Sequence, residues 1–273
     1  MIENNQNLRS SEIGQNFDRT QAWIEKTGSE QVSNIQISLP NQTAGFYGEE
    51  SFTFSNCRRN GMHGPDLATC IAFYNVDWVK NPNYFSIWQT KKSPKRSKNG
   101  IQKVKIPVSA EYELIAFGAG CVNHGAMAKS NVHLEIGTEL FIGIGQRRTT
   151  ISDGCGGTFV AIRENGQFIP IIIAGGAGGA RKGNMGNYGN GSLDQFGNKS
   201  SSINERNQNI GKAGKSGYPW CYTGGNGFFG RVKGNWEFTE ETPKSFEDGL
   251  NGAKSLNGDE YWEGGFGGRV GKL

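Results

Sequence analysis

The hydrophobic positions of this chain favour strands over helices. Residues 169–180 read IPIIIAGGAGGA. The three consecutive isoleucines predict a buried strand, because β-branched side chains suit a pleated surface. Four glycines follow within five residues, and a helix cannot continue through such a run. We therefore expect a sheet whose buried strand leads directly into a glycine-rich region.

Short apolar runs separated by turn signals recur between residues 51 and 174, and we find no convincing amphipathic helix among them. The ordered part starts at residues 51–54, and strands are predicted at residues 71–79, 83–90, 101–107, 111–117, 132–136, 139–144, 157–163 and 168–174. The last two flank ENGQ, which is typical of a β-hairpin turn. Many short strands with close turns predict an all-β sandwich or jelly roll.

The regions on either side differ from this core. Residues 1–50 are polar, and we interpret them as a lead-in or as the tail of a preceding domain. Within them, VSNIQISLP at residues 32–40 alternates like an edge strand. Residues 175–273 combine 25 of the 42 glycines with thirteen aromatic residues. A flexible linker has few aromatics, so we expect this glycine-rich region to pack against the β-domain at residues 51–174.

Composition and charge narrow the function classes. The formal net charge is +4, from 29 basic and 25 acidic residues, which is too mild to predict attraction to nucleic acid or membranes. No apolar run is long enough to span a membrane, and the first residues lack the apolar core of a signal peptide. The chain is thus either intracellular or an internal piece of a longer secreted protein.

No motif predicts a catalytic, cofactor or metal site. NIGKAGKS at residues 209–216 lacks the first glycine of a phosphate loop, and the glycines at 118–120 precede a predicted strand rather than a helix. The three histidines are His63, His124 and His133. We interpret them as loop histidines, and a metal site that joins His124 to Cys121 and Cys155 is the weaker alternative.

The five cysteines suggest different chemistry in different compartments. In a secreted protein Cys57 and Cys70 would close a short loop, while the pairing of Cys121, Cys155 and Cys221 stays open. In a cytosolic protein all five would be thiols. N-glycosylation sequons occur at Asn41, Asn190 and Asn198, although an asparagine-rich chain yields such triplets by chance.

An ordered series of motifs resembles one known family. The series comprises FTFSNC (52–57), HGP (63–65), GIQKVKIP (100–107), EYELIAFGA (111–119), LFIGIGQ (140–146), CGGTFVAI (155–162), IPIIIAGGAGG (169–179) and WEGGFGG (262–268). Over residues 51–268 the chain is similar to the glycine-rich extracellular region of the anaplastic lymphoma kinase and leukocyte tyrosine kinase receptors.

This resemblance implies a tumour-necrosis-factor-like jelly roll with an associated glycine-rich layer of polyproline-II-type segments. It implies that the chain binds a small, cytokine-like protein and supports receptor pairing and signalling at the extracellular face of the plasma membrane, as part of a longer receptor. It also implies a disulfide between Cys57 and Cys70. The kinase motifs VAIK, HRD and DFG are not present, so we expect this chain itself not to be an enzyme.

Two other functions compete with this interpretation. One is a free-standing glycine-rich adhesin or structural β-protein. The other is a glycine-rich RNA-binding protein, which we rank last because Gly-Gly-Arg occurs once, at residues 267–269. For a receptor, our hypothesis for the ligand contacts is the aromatic and acidic group near the end of the glycine-rich region, formed by Tyr261, Trp262, Glu263 and Phe266.

Overall fold

The structure is a computed structural model that describes residues 33–39, 46–88, 100–120, 124–147, 155–177, 228, 239–241, 244–252, 254–257 and 260–263. Two short helices lie within these ranges, α1 (Leu67–Tyr74) and α2 (Asp77–Lys80). The strands are β1 (Asn34–Ser38), β2 (Ser51–Ser55), β3 (Phe85–Trp88), β4 (Ile101–Lys105), β5 (Ala110–Phe117), β6 (Met127–Leu134), β7 (Glu139–Gly143), β8 (Thr158–Glu164), β9 (Gln167–Ala174), β10 (Thr239–Glu241), β11 (Lys254–Asn257) and β12 (Glu260–Glu263).

The main strands form two antiparallel sheets. One has four strands in the order β2-β1-β5-β6, and the other has five in the order β3-β4-β7-β8-β9. A smaller sheet contains β10, β11 and β12. The described part of the chain is therefore mostly β-structure, as the short apolar runs predict.

The two main sheets share one hydrophobic interior. In β5 the buried positions alternate with more exposed ones, which is the pattern of a strand with one face in a core. Ile35 and Leu114 from the four-stranded sheet lie in the same buried cluster as Val104 and Ile142 from the five-stranded sheet. The sheets thus pack face to face as a sandwich.

The outer face of the five-stranded sheet carries a second apolar cluster. Phe141, Phe159 and Phe168 project from β7, β8 and β9 and are covered by residues of the glycine-rich region, namely Phe228, Phe246 and Leu250. The rings of Phe228 and Phe246 stack with their centroids 4.8 Å apart. At these three positions the chain after β9 contacts the sheet.

The prediction of a strand at residues 71–79 is wrong, because most of that segment lies in α1 and α2. Asp66 caps α1: its side-chain Oδ1 accepts a hydrogen bond from the Thr69 backbone N–H at 2.8 Å. Asn75 ends the helix in the left-handed conformation with φ of 51°. These two caps define a helix too short for its periodicity to be recognised, and Asp66 after Pro65 was the available signal.

The prediction that residues 32–40 form an edge strand is also wrong. β1 pairs with β2 on one side and with β5 on the other, so it lies inside the four-stranded sheet. Its alternation is real, since Ile35 and Ile37 are fully buried. Alternation of apolar and polar residues indicates that one face of a strand is buried, but it does not distinguish a central strand from an edge strand.

The strand at the start of the glycine-rich region is confirmed as β9. Among the described strands it pairs only with β8 and lies at the edge of its sheet. Pro170 removes a backbone donor there, at a register shift opposite Ala161. The predicted ENGQ turn is confirmed too. Asn165 and Gly166 have φ of 49° and 82°, which is typical of a tight type I′ hairpin.

Candidate functional site

A disulfide joins Cys57, just after β2, to Cys70 in α1, and its Cα atoms are 5.3 Å apart. Both cysteines are buried. Cys57 and Arg58 have left-handed φ angles of 51° and 60°, a conformation that costs residues with side chains about 1–2 kcal/mol each. The disulfide therefore holds α1 and a strained turn against the sandwich.

A buried polar network lies behind the disulfide. The Tyr74 hydroxyl donates to Gln102 Oε1 at 2.7 Å, and Gln102 Nε2 donates to the Ser55 carbonyl at 2.7 Å. The Ser55 backbone N–H donates to the Tyr74 oxygen at 2.9 Å. Burial raises the pKa of Tyr74 to about 12, although its bonds to Ser55 and Gln102 act in the opposite direction. This closed network fixes α1 on β2 and β4.

The outward side of α1 presents apolar surface. The helix contains no charged residue, and Leu67 and Phe73 are each 38% exposed. The guanidinium carbon of Arg58 lies 5.5 Å from the centre of the Phe73 ring, within the range of a cation–π contact. This surface can contact a partner through aliphatic and aromatic groups beside one positive charge.

A second aromatic surface lies at the other end of the α1–α2 segment. Tyr47 stacks on Trp78 with ring centroids 4.6 Å apart, and Tyr84, which is 41% exposed, lies 5.1 Å from Tyr47. Tyr47 has a left-handed φ of 53° in a tight turn, and its hydroxyl donates to the Lys105 carbonyl. The pKa of Tyr47 is raised, chiefly by burial. The ring of Tyr47 is thus held rigidly at the surface.

Five chain segments meet where β5, β7 and β9 end and where β6 and β8 begin. We call these segments, residues 118–120, 124–126, 144–147, 155–157 and 175–177, the glycine junction. They are linked by hydrogen bonds between backbones: Ala119 N–H donates to the Gly156 carbonyl at 2.9 Å, and Ala177 N–H to the Ala119 carbonyl at 2.9 Å. Most of the junction is buried although it carries few large side chains.

Glycine is required in the junction because the backbones approach so closely. A Cβ atom on Gly118 would lie 2.1 Å from the Gly175 carbonyl oxygen, and one on Gly145 would lie 2.0 Å from the Gly156 carbonyl oxygen. Real Cβ atoms do not approach backbone at such distances. The sequence predicted that the glycines at 118–120 turn a corner between strands, and β5 and β6 do flank them.

The residues proposed as ligand contacts fall at the margin of the described structure. The backbones of Tyr261, Trp262 and Glu263 lie in β12, where Trp262 is paired with Ser255 of β11. Phe266 and the sequon residues Asn41, Asn190 and Asn198 lie outside the described residues, as do Cys121 and Cys221. These assignments stay predictions.

The described residues contain no group of three or more side chains suited to hold a metal ion. The interpretation of His133 as a loop histidine is wrong, because it lies in β6. Its Nδ1 is 3.2 Å from Glu111 and its Nε2 is 3.1 Å from Glu135. The Ser109 hydroxyl, and secondly His133, hold the pKa of Glu135 below its usual value. Cys155 is disulfide-bonded and cannot serve as the thiolate ligand of the weaker metal alternative.

Two further findings bear on the identity of the chain. Among the residues that the structure describes, no helix is long and apolar enough to cross a membrane. No protein-family model matches the sequence, and no curated protein matches it.

Proposed function

We propose that this chain is a ligand-binding part of the ectodomain of a receptor similar to anaplastic lymphoma kinase and leukocyte tyrosine kinase. It recognises a small, cytokine-like protein outside the cell and supports receptor pairing and signalling. The observation that carries this proposal is the glycine junction at one end of a β-sandwich, since the resemblance implies a sandwich interwoven with glycine-rich chain.

The hydrogen bonds of the junction argue for polyproline-II-type packing. A strand in a sheet has hydrogen-bonded neighbours on two sides only. Segment 118–120 bonds to three others: Gly118 N–H to the Ala126 carbonyl, Ala119 N–H to that of Gly156, and the Ala119 carbonyl to Ala177 N–H. A polyproline II helix has three residues per turn and directs its backbone groups to several sides, and glycine permits close packing of such chains.

Segment 175–177 has the same property. The Gly175 carbonyl accepts from Ala126 N–H at 2.8 Å, the Ala177 carbonyl accepts from Cys155 N–H at 2.8 Å, and Ala177 N–H donates to Ala119. Both segments continue β-strands, so the chain changes from sheet pairing to three-sided pairing at the end of the sandwich. In our proposal the junction is the start of the glycine-rich layer, and the sandwich is the jelly roll that supports it.

The physical advantage for a receptor is pre-organisation. A glycine-rich chain that is ordered before binding avoids the entropy cost of ordering on the ligand. The buried Cys57–Cys70 disulfide is compatible with an oxidising, extracellular setting. Within this proposal, Tyr261, Trp262, Glu263 and Phe266 form the contact surface, and Asn41, Asn190 and Asn198 carry glycans.

The test is a reporter receptor. The chain is secreted behind a signal peptide, or displayed on a membrane helix joined to a kinase domain, and treated with the small cytokines that activate receptors of this family. We expect saturable binding and ligand-dependent phosphorylation. Trp262→Ala should weaken binding at least about tenfold, whereas Ile136→Ser, at a side chain 67% exposed in the β6–β7 turn, should not.

Correctly folded, disulfide-bonded protein that binds none of these cytokines would overturn the proposal. If such protein instead associates with itself or with cell surfaces, the free-standing adhesin becomes the better explanation. A Trp262→Ala variant that fails to fold would assign Trp262 to the core and remove it from the contact surface, and the binding of the unmodified chain would still decide the function.

A further inference from the structure

In the part of the chain that the structure describes, two glutamines are buried, and they differ in their hydrogen bonds. Gln102 and Gln146 are each 0% exposed. Both amide atoms of Gln102 are bonded, to the Ser55 carbonyl and to the Tyr74 hydroxyl, each at 2.7 Å. In the described part of the chain, neither Nε2 nor Oε1 of Gln146 has a hydrogen-bond partner. Buried polar side chains in native proteins are nearly always hydrogen-bonded, so Gln146 requires an explanation.

Gln146 lies in the glycine junction, just beyond the end of β7. Its backbone carbonyl accepts from Gly156 N–H at 3.1 Å, and the carbonyl of the next residue, Arg147, accepts from Gly61 N–H in the disulfide-closed loop at 3.4 Å. The backbone at Gln146 thus joins the junction to that loop. The position is fixed, and the side chain cannot reach bulk solvent.

Two polar side chains hold the backbone immediately before Gln146. The preceding residue, Gly145, accepts from the buried Ser33 hydroxyl through its carbonyl and donates its N–H to Thr158 Oγ1 at 3.3 Å. Gly156, which lies across from Gln146, has no side chain that could bond to the amide. Buried polar groups without protein partners are where proteins hold ordered water.

We propose that Gln146 forms an internal binding site for ordered water in the glycine junction. The chemistry of the amide selects this ligand: Nε2 donates and Oε1 accepts, and both are without protein partners, so an amide flip cannot satisfy either atom. A metal cation would satisfy only the oxygen, and an anion only the nitrogen. Water donates to Oε1 and accepts from Nε2, so one or two molecules complete the site.

The experiment is a high-resolution crystal structure of the disulfide-bonded chain, with Gln146→Met as the matched variant because methionine is similar in length and apolar. We expect water at about 2.7–3.2 Å from both amide atoms. In Gln146→Met these waters should be lost, with a Tm that is unchanged or higher. The control Gln102→Met should lower the Tm, because it removes one hydrogen bond from the buried Ser55 carbonyl and one from the Tyr74 hydroxyl.

A dry site in the unmodified protein, or an amide bonded to protein atoms alone, would overturn the proposal. So would a loss of Tm in Gln146→Met equal to that in Gln102→Met, since this would show protein partners for Gln146. If Gln146→Met does not fold, magnetisation transfer from long-lived water to the Gly156 N–H in the unmodified protein decides, and its absence excludes the site.

Discussion

The interior of the sandwich and the glycine junction are both buried, but they are held together in opposite ways. In the interior, large side chains pack on one another: the Phe46 ring lies 6.1 Å from Phe54, 5.8 Å from Trp78 and 6.3 Å from Tyr112, in edge-to-face geometry. In the junction, backbones pack on backbones through hydrogen bonds such as that from Cys155 to Ala177. The interior should therefore be sensitive to lost volume, and the junction to added volume.

The largest expected effect is from added volume in the junction. Gly118→Ala places a Cβ 2.1 Å from the Gly175 carbonyl oxygen and within 3.0 Å of the Ala174 oxygen. Backbone cannot move aside as the end of a flexible side chain can, so we expect a loss of roughly 4 kcal/mol or more in the free energy of unfolding. Urea unfolding measured by circular dichroism checks this value.

Gly137→Ala is the matched control for that variant. Gly137 has φ of 82° in the β6–β7 turn, and nothing lies within 4 Å of its added Cβ. Only the left-handed backbone opposes alanine there, at about 1–2 kcal/mol. Equal losses in the two variants would show that backbone conformation matters and close approach does not, which would remove the distinction between junction and turn.

The second effect is from lost volume in the interior. Phe46 is fully buried, and Phe46→Ala should lower the free energy of unfolding by about 3–4 kcal/mol, through lost transfer energy and the cavity left behind. Phe73→Ala, at a ring 38% exposed, should cost about 1 kcal/mol or less. Chemical denaturation of both variants gives the comparison. A Phe46→Ala variant as stable as Phe73→Ala would contradict the assignment of Phe46 to the core.

The sequence predicted the two regions unequally well. Side-chain periodicity is local, so it identified β5, β7, β8 and β9 nearly to the residue, and the isoleucines before the glycines correctly placed β9 at the entrance to the junction. The junction itself depends on which glycines meet. Gly118 contacts Gly175, which is 57 residues later in the sequence, and no local pattern predicts such a pairing.

The missed helix and the central position of β1 have similar causes. α1 has eight residues, too few for a helical period to stand out, and its identity depends on caps at Asp66 and Asn75. β1 alternates as an edge strand would, and only its pairing with β5 shows that it is central. Of the candidate sites, the Cys57–Cys70 disulfide was implied by the family resemblance, while the residues alone left thiols as an alternative. The orphan amide of Gln146 requires the burial that the fold creates.

Removal of the disulfide has the third largest expected effect, and it tests whether the interior and the junction unfold together. The Cys57–Cys70 disulfide closes a loop with a sequence separation of 13, and the double variant Cys57→Ala, Cys70→Ala should lower the free energy of unfolding by about 3 kcal/mol. The crosslink acts largely on the unfolded chain, so the slowest-exchanging amides of the interior and the junction should lose protection by the same factor. Hydrogen exchange measures both, and a loss confined to one region would show that they unfold separately.

The smallest effect concerns the polar network that borders the interior. Tyr74→Phe removes the hydroxyl that bonds Gln102 and Ser55, and should lower the free energy of unfolding by about 1–2 kcal/mol at neutral pH. The effect of this substitution on stability should depend on pH in the alkaline range. The pKa of Tyr74 is about 12 in the folded protein against 10.0 ordinarily, so its contribution is present below pH 10 and is lost as the pH rises through 12.

Measuring the free energy of unfolding against pH for both the unmodified protein and Tyr74→Phe separates the contribution of Tyr74 from that of the other tyrosines. Burial also raises the pKa values of Tyr47 and Tyr112, and both remain in the Tyr74→Phe variant. We therefore expect the free energy of unfolding of the unmodified protein to fall more steeply between pH 10 and 12 than that of the variant. By pH 12 the unmodified protein should have lost about 2–3 kcal/mol more of its free energy of unfolding than the variant has. Parallel curves would show that the Tyr74 hydroxyl ionises freely, and that the network does not hold α1 on the sandwich.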